Sequence, residues 1–217
     1  MVGKIIQIII KKEVKLMTNF VKVSFTNSKL GGQIGSINLP AGVTCRKDAP
    51  CNGKGCYAQK GNWRYSNVQQ SLQNNLKAYK ENPKLYFESI AVQTALLKYF
   101  RWHSSGDLVD EQYFEGMCRV ARKNKDTHYL CFTKKYEIIN EFLSKGKRIP
   151  KNLSVVLSAW SDWLPENPYN LPVTYIYGKD FNNELIPKDA IPCGGKCEVC
   201  QACWTLKKGQ NVFFKKH

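Results

Sequence analysis

Two hydrophobic periods alternate along most of the chain. Residues 67–81 and 84–99 carry apolar side chains at helical spacing, the second through Leu85, Ile90, Val92, Ala95 and Leu96 and on to Phe100. Pro83 marks the break between them. Beyond these, 99–105 reads as a strand and 110–124 as a helix with acidic residues in its first turn. Then 128–133 is a strand, 135–146 a helix ending at Gly146, and 153–160 and 173–178 are strands. Ahead of the helices, 20–30 and 36–40 read as short strands separated by the turn former Gly31-Gly32. Strand and helix alternating at this spacing predict parallel βαβ units with right-handed crossovers, hence an α/β fold. A complete eight-fold barrel typically takes about 250 residues. The 217 residues here predict a small partial (β/α) barrel or an open parallel sheet with cysteine-rich loops.

Composition supports one folded domain. The chain is 43% hydrophobic and 12% aromatic, which excludes a disordered protein. Its longest apolar run, Ile8 to Ile10 beside Ile5-Ile6, is too short to span a bilayer, so no membrane partner is expected. Residues 1–16 suit a translated leader better than a fold element. Lys12-Glu13-Val14 can be encoded as AAG GAG GTN, which contains the bacterial ribosome-binding sequence AGGAGG a short gap upstream of Met17. Residues 17–217 are then the single domain, from a bacterium or a bacterial virus. A signal peptide fits poorly, because Gln7 interrupts the apolar stretch and no small-residue cleavage site follows. The expected compartment is the cytoplasm of the bacterial host, where thiols stay reduced. The odd number of cysteines, nine, also argues against a complete disulfide framework.

A formal charge of +16 invites a nucleic-acid partner, but lysines number 27 against 6 arginines and are spread along the chain. Specific phosphate and base recognition favours the arginine fork. Weak, non-specific binding of polyanions is what this charge predicts.

Sites in α/β proteins sit at the carboxyl ends of parallel strands. Those ends read His103-Ser104-Ser105-Gly106-Asp107, Thr133-Lys134-Lys135 and Ser158-Ala159-Trp160-Ser161-Asp162. A small-molecule substrate bound there would meet His103, Asp107, Lys134, Ser158, Ser161 and Asp162 as candidate catalytic residues. Strand alternation puts His103 on one face with Arg101 and Trp102 on the other. Plainer roles fit the same residues: a buried structural histidine, helix caps at Asp107 and Asp110, and a turn at Ser161-Asp162.

Seven of the nine cysteines fall in two short loops. Cys118 and Cys131 lie alone in helical and strand-like stretches and read as small core residues. Cys193, Cys197, Cys200 and Cys203 stand two or three residues apart, nearer to the compact spacing of iron–sulfur ligation than to the separated knuckles of structural zinc. That spacing favours a [4Fe–4S] cluster over zinc, although tetrahedral zinc also accepts four thiolates. Gly194 and Gly195 let backbone approach the sulfurs, and Lys196 offsets cluster charge. Cys45, Cys51 and Cys56 offer three thiols, which leaves one metal position open, as catalysis requires. His103 or an incoming small molecule could complete that set; alternatively both loops meet around one site.

The cysteine loop ending Cys56-Tyr57-Ala58, the segment Arg101 to Asp107, the Cys197 to Trp204 run and the closing Val212 to His217 together resemble the bacteriophage proteins of the gene product 88 family. At the level of fold, the chain also resembles radical S-adenosylmethionine enzymes, which carry a three-cysteine loop after the first strand of a full or partial barrel. That resemblance implies S-adenosylmethionine on the open iron and an aromatic, here Tyr57, beside the last cysteine. It also implies a segment after the second strand that holds the cofactor's amine, here Ser105-Gly106-Asp107. The Cys45–Cys56 spacing departs from that family's usual pattern, whereas Cys193, Cys197 and Cys200 match it at the opposite end of the chain. The competing function is a zinc- or cluster-stabilised basic module that engages nucleic acid or a host protein.

Overall fold

The computed structural model describes residues 21–52 and 55–216. The expected leader, residues 1–16, lies outside the described residues, as do Gly53 and Lys54 of the first cysteine loop. Among the described residues, seven strands form one open sheet: β1 (Gly35–Ile37), β2 (Tyr99–Trp102), β3 (His128–Thr133), β4 (Leu153–Ser158), β5 (Val173–Tyr177), β6 (Ile191–Pro192) and β7 (Asn211–Lys215). Their order is β1-β2-β3-β4-β5-β7-β6, and every pairing is parallel. The expected α/β architecture is therefore present, as an open sheet rather than a closed barrel.

Four helices of ordinary length connect the strands: α1 (Ser66–Glu81), α2 (Pro83–Thr94), α3 (Glu111–Lys123) and α4 (Tyr136–Ser144). Their ends follow local chemistry. Asn82 accepts from the Leu85 amide ahead of Pro83, and Asp110 accepts from the Tyr113 amide at 2.7 Å. Gly146, at φ +73°, closes α4 with its amide on the Leu143 carbonyl. A fifth, one-turn helix, α5 (Cys197–Cys200), carries the C-terminal thiols.

Consecutive strands in sequential order, joined by right-handed crossovers, put their helices on one face of the sheet. The core on that face joins Phe100, Trp102, Tyr129, Cys131, Val155 and Leu157 of the strands to Leu76, Tyr86, Tyr113, Met117 and Phe142 of the helices. Cys118 and Cys131 are fully buried there, as small core residues. The alternate strand positions point to the other face, where Leu130 and Val156 meet Leu30, Ile34 and Trp204 in a much smaller cluster. Trp204 is fastened by its indole N–H to the Phe100 carbonyl at 3.0 Å and lies edge-on to Tyr99.

Two expectations need correction, and the C-terminus adds a strand. Residues 21–30 do not form a strand; only an antiparallel bridge from Ser24 to Ser36 remains. Asn27 and Ser24 take up the local amides instead, Asn27 Oδ1 accepting from Lys29 and Ser24 Oγ from Thr26. The second helix stops at Thr94, not residue 99, because the chain turns with the Leu97 amide on the Thr94 carbonyl before entering β2. At the C-terminus, the closing Val212–Lys215 is a strand inserted between β5 and β6, so the chain end is held by a ladder as well as by the cysteine turn.

Candidate functional site

The segments after β1 and β2 are sewn together by side chains that complete one another's backbone bonds. Asn38 Oδ1 accepts from the Ser104 and Ser105 amides, at 2.7 and 3.2 Å. The Leu39 amide donates to the Ser105 carbonyl, the Ser105 hydroxyl to the Leu39 carbonyl, and the Asp107 amide to Thr44 Oγ1. Gly106 sits at φ +80°, and a Cβ there would come within 2.7 Å of the Leu39 carbonyl oxygen and of Thr44 Oγ1. A glycine is required for both reasons. This seam holds the first cysteine loop, which starts at Cys45, against the end of β2. Tyr57, just past Cys56, reaches back with its hydroxyl onto the Ser104 carbonyl. Its ring edge is exposed, but burial of the hydroxyl raises its pKa.

Asp107 is buried and carries the junction on to β3. Its carboxylate accepts from Thr133 Oγ1 at 2.6 Å, from its neighbour Leu108 N at 2.7 Å and from Lys134 N at 2.9 Å. Burial pushes its pKa upward against these three donors. Asp110, not Asp107, caps α3. The next rim segment is fixed in the same way, by the Tyr136 hydroxyl on the Ser158 carbonyl.

These strand ends open onto a cavity of about 950 Å³ that spreads over the carboxyl edge and the helix-free face of the sheet. Cys45, Cys51 and Cys56 line it, and so do Cys193, Cys197 and Cys203 from the other end of the chain. Lysine and arginine outnumber carboxylates along its wall: Lys22, Lys29, Arg46, Arg101, Lys134 and Lys216 against Asp107 alone. Burial is the main influence on Cys45, Cys56, Cys197 and Cys203 and favours their neutral form, with Cys45 pushed up to about 11 and Cys203 to about 12. Within each group the thiols lie near enough to raise one another's pKa, Cys51 and Cys56 acting on Cys45, and Cys193, Cys197 and Cys200 on Cys203.

Cys200 is exposed and does not line the large cavity, but all four C-terminal cysteines line a crevice of about 20 Å³ beside it. The turn at residues 27–31 covers this group. Lys29 accepts from the Cys197 amide at 2.9 Å, and Gly31, at φ +76°, touches Glu198 so closely that a Cβ would overlap its carboxylate. Among the described residues, no three His, Cys, Asp or Glu side chains converge closely enough to hold a metal ion as they stand. The donor chemistry nevertheless fits a soft metal or a cluster, since each loop gathers three or more free thiols. Neutral thiols have no mutual attraction to draw them into a ligand set; metal binding supplies that by releasing their protons.

Of the residues expected at the rim, His103, Ser105, Gly106, Asp107, Lys134, Ser158 and Tyr57 all line the cavity. His103, however, does not share a face with Arg101. The strand ends at Trp102, and His103 adopts a left-handed backbone at φ +56°, which turns its ring toward Trp102 and onto Tyr113. Nε2 sits 3.0 Å from the Tyr113 hydroxyl. Burial, with Arg101 and Lys135 nearby, lowers its pKa to about 3, so at neutral pH it is an uncharged imidazole. Ser161 and Asp162 are absent from the cavity wall. They belong to the exposed turn between the bridged residues Trp160 and Trp163, where they accept from Asn182 N and Asn182 Nδ2 respectively.

Arg101 is the residue that sequence reasoning passed over. It comes from the middle of β2 on the helix-free face, stacks 5.0 Å from the Phe132 ring, and its charge partly offsets the burial that raises the pKa of Cys197, Cys203 and Tyr57. A charged residue inside an otherwise apolar strand was the available signal.

An all-parallel α/β sheet with one cysteine loop at its carboxyl edge and another on its helix-free face, both lining one basic cavity, defines the class of this protein. Within that class, the chain belongs to the Gene product 88 family, whose match covers residues 10–206 and so includes every cysteine of both loops, though not Phe214 and Lys216 of the cavity wall. No curated protein and no solved structure matched the chain. Among the described residues, no helix is long and apolar enough to cross a membrane.

Proposed function

We propose that this is a phage-encoded iron–sulfur enzyme that works on a small molecule in the cavity, in the reducing cytoplasm of the host. One observation carries the reading: six cysteines from opposite ends of the sequence line the same cavity, at the edge of the sheet where α/β enzymes place their chemistry. Cys45, Cys51 and Cys56 would hold a [4Fe–4S] cluster with one open iron. Such a cluster supplies single electrons and a coordination site. The chain's own residues account for the rest. The seam of Asn38, Ser105 and Thr44 fixes the first loop against the end of β2, and Asp107 ties that end to β3. Ser105 and Gly106 line the cavity beside that loop, and Tyr57 ties the loop's end to Ser104. S-adenosylmethionine is the ligand that the likeness to radical enzymes brings forward, by analogy of fold.

A second reading rests on the small C-terminal crevice. About 20 Å³ ringed by four cysteines offers room on the scale of one ion rather than a cluster, which suits a closed structural zinc site. Zinc there is compatible with an iron centre in the first loop. Zinc alone would leave the basic binding module as the function. Anaerobic purification separates these outcomes. The enzyme reading expects brown protein with iron and acid-labile sulfide and a broad band near roughly 400 nm. Colourless protein carrying stoichiometric zinc and no iron would overturn it.

A further inference from the structure

Among the described residues, four consecutive ones at the end of β2 carry buried polar atoms with no hydrogen-bond partner: Arg101 Nε, Trp102 Nε1, His103 Nδ1 and Ser104 Oγ. Trp102 belongs to the large core, and the other three line the cavity. Buried polar atoms in folded proteins are nearly always paired, so an orphaned group asks for an explanation. Three within four residues, on one cavity wall, ask for a common one. The charge points the same way. Arg101 forms no ion pair among the described residues, whereas Arg46 on the same wall is held by both Asp48 and Glu137. The one carboxylate on the wall, Asp107, is already engaged by three donors. A partly buried guanidinium without a counter-ion is costly unless an anion arrives to meet it.

Hydrogen-bond polarity narrows the ligand further. The Arg101 Nε–H is a donor and the Ser104 hydroxyl can donate. When the Tyr113 hydroxyl donates to His103 Nε2, the hydrogen of the neutral ring sits on Nδ1, a third donor. A wall that offers donors and a fixed positive charge matches an oxyanion, and arginine's planar fork suits carboxylate and phosphate alike.

We propose that the end of β2 is an oxyanion receptor, which takes the carboxylate or phosphate group of the small molecule entering the cavity. Arg101 is its counter-ion and Ser104 its second donor. The substrate class is therefore an anionic small molecule. The inference extends the enzymatic reading but does not rest on the thiols holding iron.

The test is isothermal titration of the full-length protein, as isolated, at low ionic strength. Inorganic pyrophosphate serves as the phosphate probe and glutarate as the carboxylate probe, and metal content is measured on the same samples. One of the two probes should bind wild-type protein at a single site. Arg101→Gln should weaken that binding at least tenfold, Ser104→Ala by a few-fold, and Arg101→Lys should recover part of the loss. Circular dichroism and melting of each variant establish that it is folded; Arg101→Lys keeps the test decisive if Arg101→Gln fails to fold. Arg101→Gln should also melt no lower than wild type without ligand, since it removes an unpaired charge. Binding of neither probe would overturn the receptor, as would multi-site binding that Arg101→Gln leaves unchanged. A folded Arg101→Gln that loses metal but keeps full probe affinity would instead make Arg101 a counter-charge for the thiols. Loss of probe binding with metal content intact supports the receptor whatever the metal proves to be.

Discussion

The two faces of the sheet are built on different principles. On the helix-covered face thirty buried residues form one continuous core, rich in edge-to-face aromatic contacts such as Tyr79 with Tyr113 and Phe114 with Phe142. On the other face the buried cluster has five members, and the remaining area is cavity lined with thiols and positive charge. The first face supplies cohesion, and the second is held open by it. Loops from both ends of the chain, not helices, cover the open face, which is where a ligand or metal can be admitted without dismantling the core.

Replacing one tryptophan on each face tests that contrast most strongly. Trp102→Ala removes a fully buried ring from the large core and should cost about 3–5 kcal/mol in urea unfolding. Trp204→Ala should cost less than half as much, because the loops around Trp204 can close in on the space. Equal losses would erase the distinction between the faces.

Asp107 sits where the faces meet. Asp107→Asn keeps an acceptor for Thr133 and Leu108 but turns an amide N–H toward the Lys134 amide, which is also a donor. A loss of about 1–3 kcal/mol is expected. An unchanged denaturation midpoint would show that the junction is not held through this carboxylate.

Acid should find His103, which lies between the cavity and Tyr113 of the core. Its folded pKa is depressed to about 3 from the ordinary 6.5, so between those values the unfolded chain binds the proton and the native state does not. His103 therefore contributes stability fully above pH 6.5 and loses it as pH falls toward 3. Wild type should lose more stability over that window than His103→Gln, and the imidazole resonances of His103 should stay those of a neutral ring at pH 4.5. A ring that titrates near 6 would mean that it faces water.

The smallest effect expected is an order of thiol labelling. In metal-free native protein, exposed Cys200 should be alkylated first and Cys118 and Cys131 last, since burial shields both of the latter thiols and raises their pKa, that of Cys118 to about 12. Early modification of Cys118 would show that the helix-covered face opens readily.

Most of the helix-covered face was legible in the sequence, because period 3.6 and period 2 each leave a repeating mark. The helices, β2 to β5 and the core positions of Cys118 and Cys131 follow from that mark. The open face left little of it. The final strand was missed because Asn211 to Lys215 lacks a clear alternation of apolar and polar side chains, and residues 21–30 have strand-like side chains whose amides Asn27 and Ser24 capture. The same limit applied at the rim. Convergence of strand ends could be argued from parallel topology, and it brought Asp107, Lys134 and Ser158 to the cavity. The left-handed turn at His103 and the diversion of Ser161 and Asp162 into a surface turn depend on tertiary partners, Tyr113 and Asn182, that no local pattern reveals.

Anomalous diffraction from anaerobically grown crystals, recorded on both sides of the iron absorption edge, tests the central claim most directly. The account predicts an iron signal at Cys45, Cys51 and Cys56, facing the same cavity as Cys193, Cys197 and Cys203. Absence of iron from that loop, or a metal bound on the helix-covered side of the sheet, would contradict it.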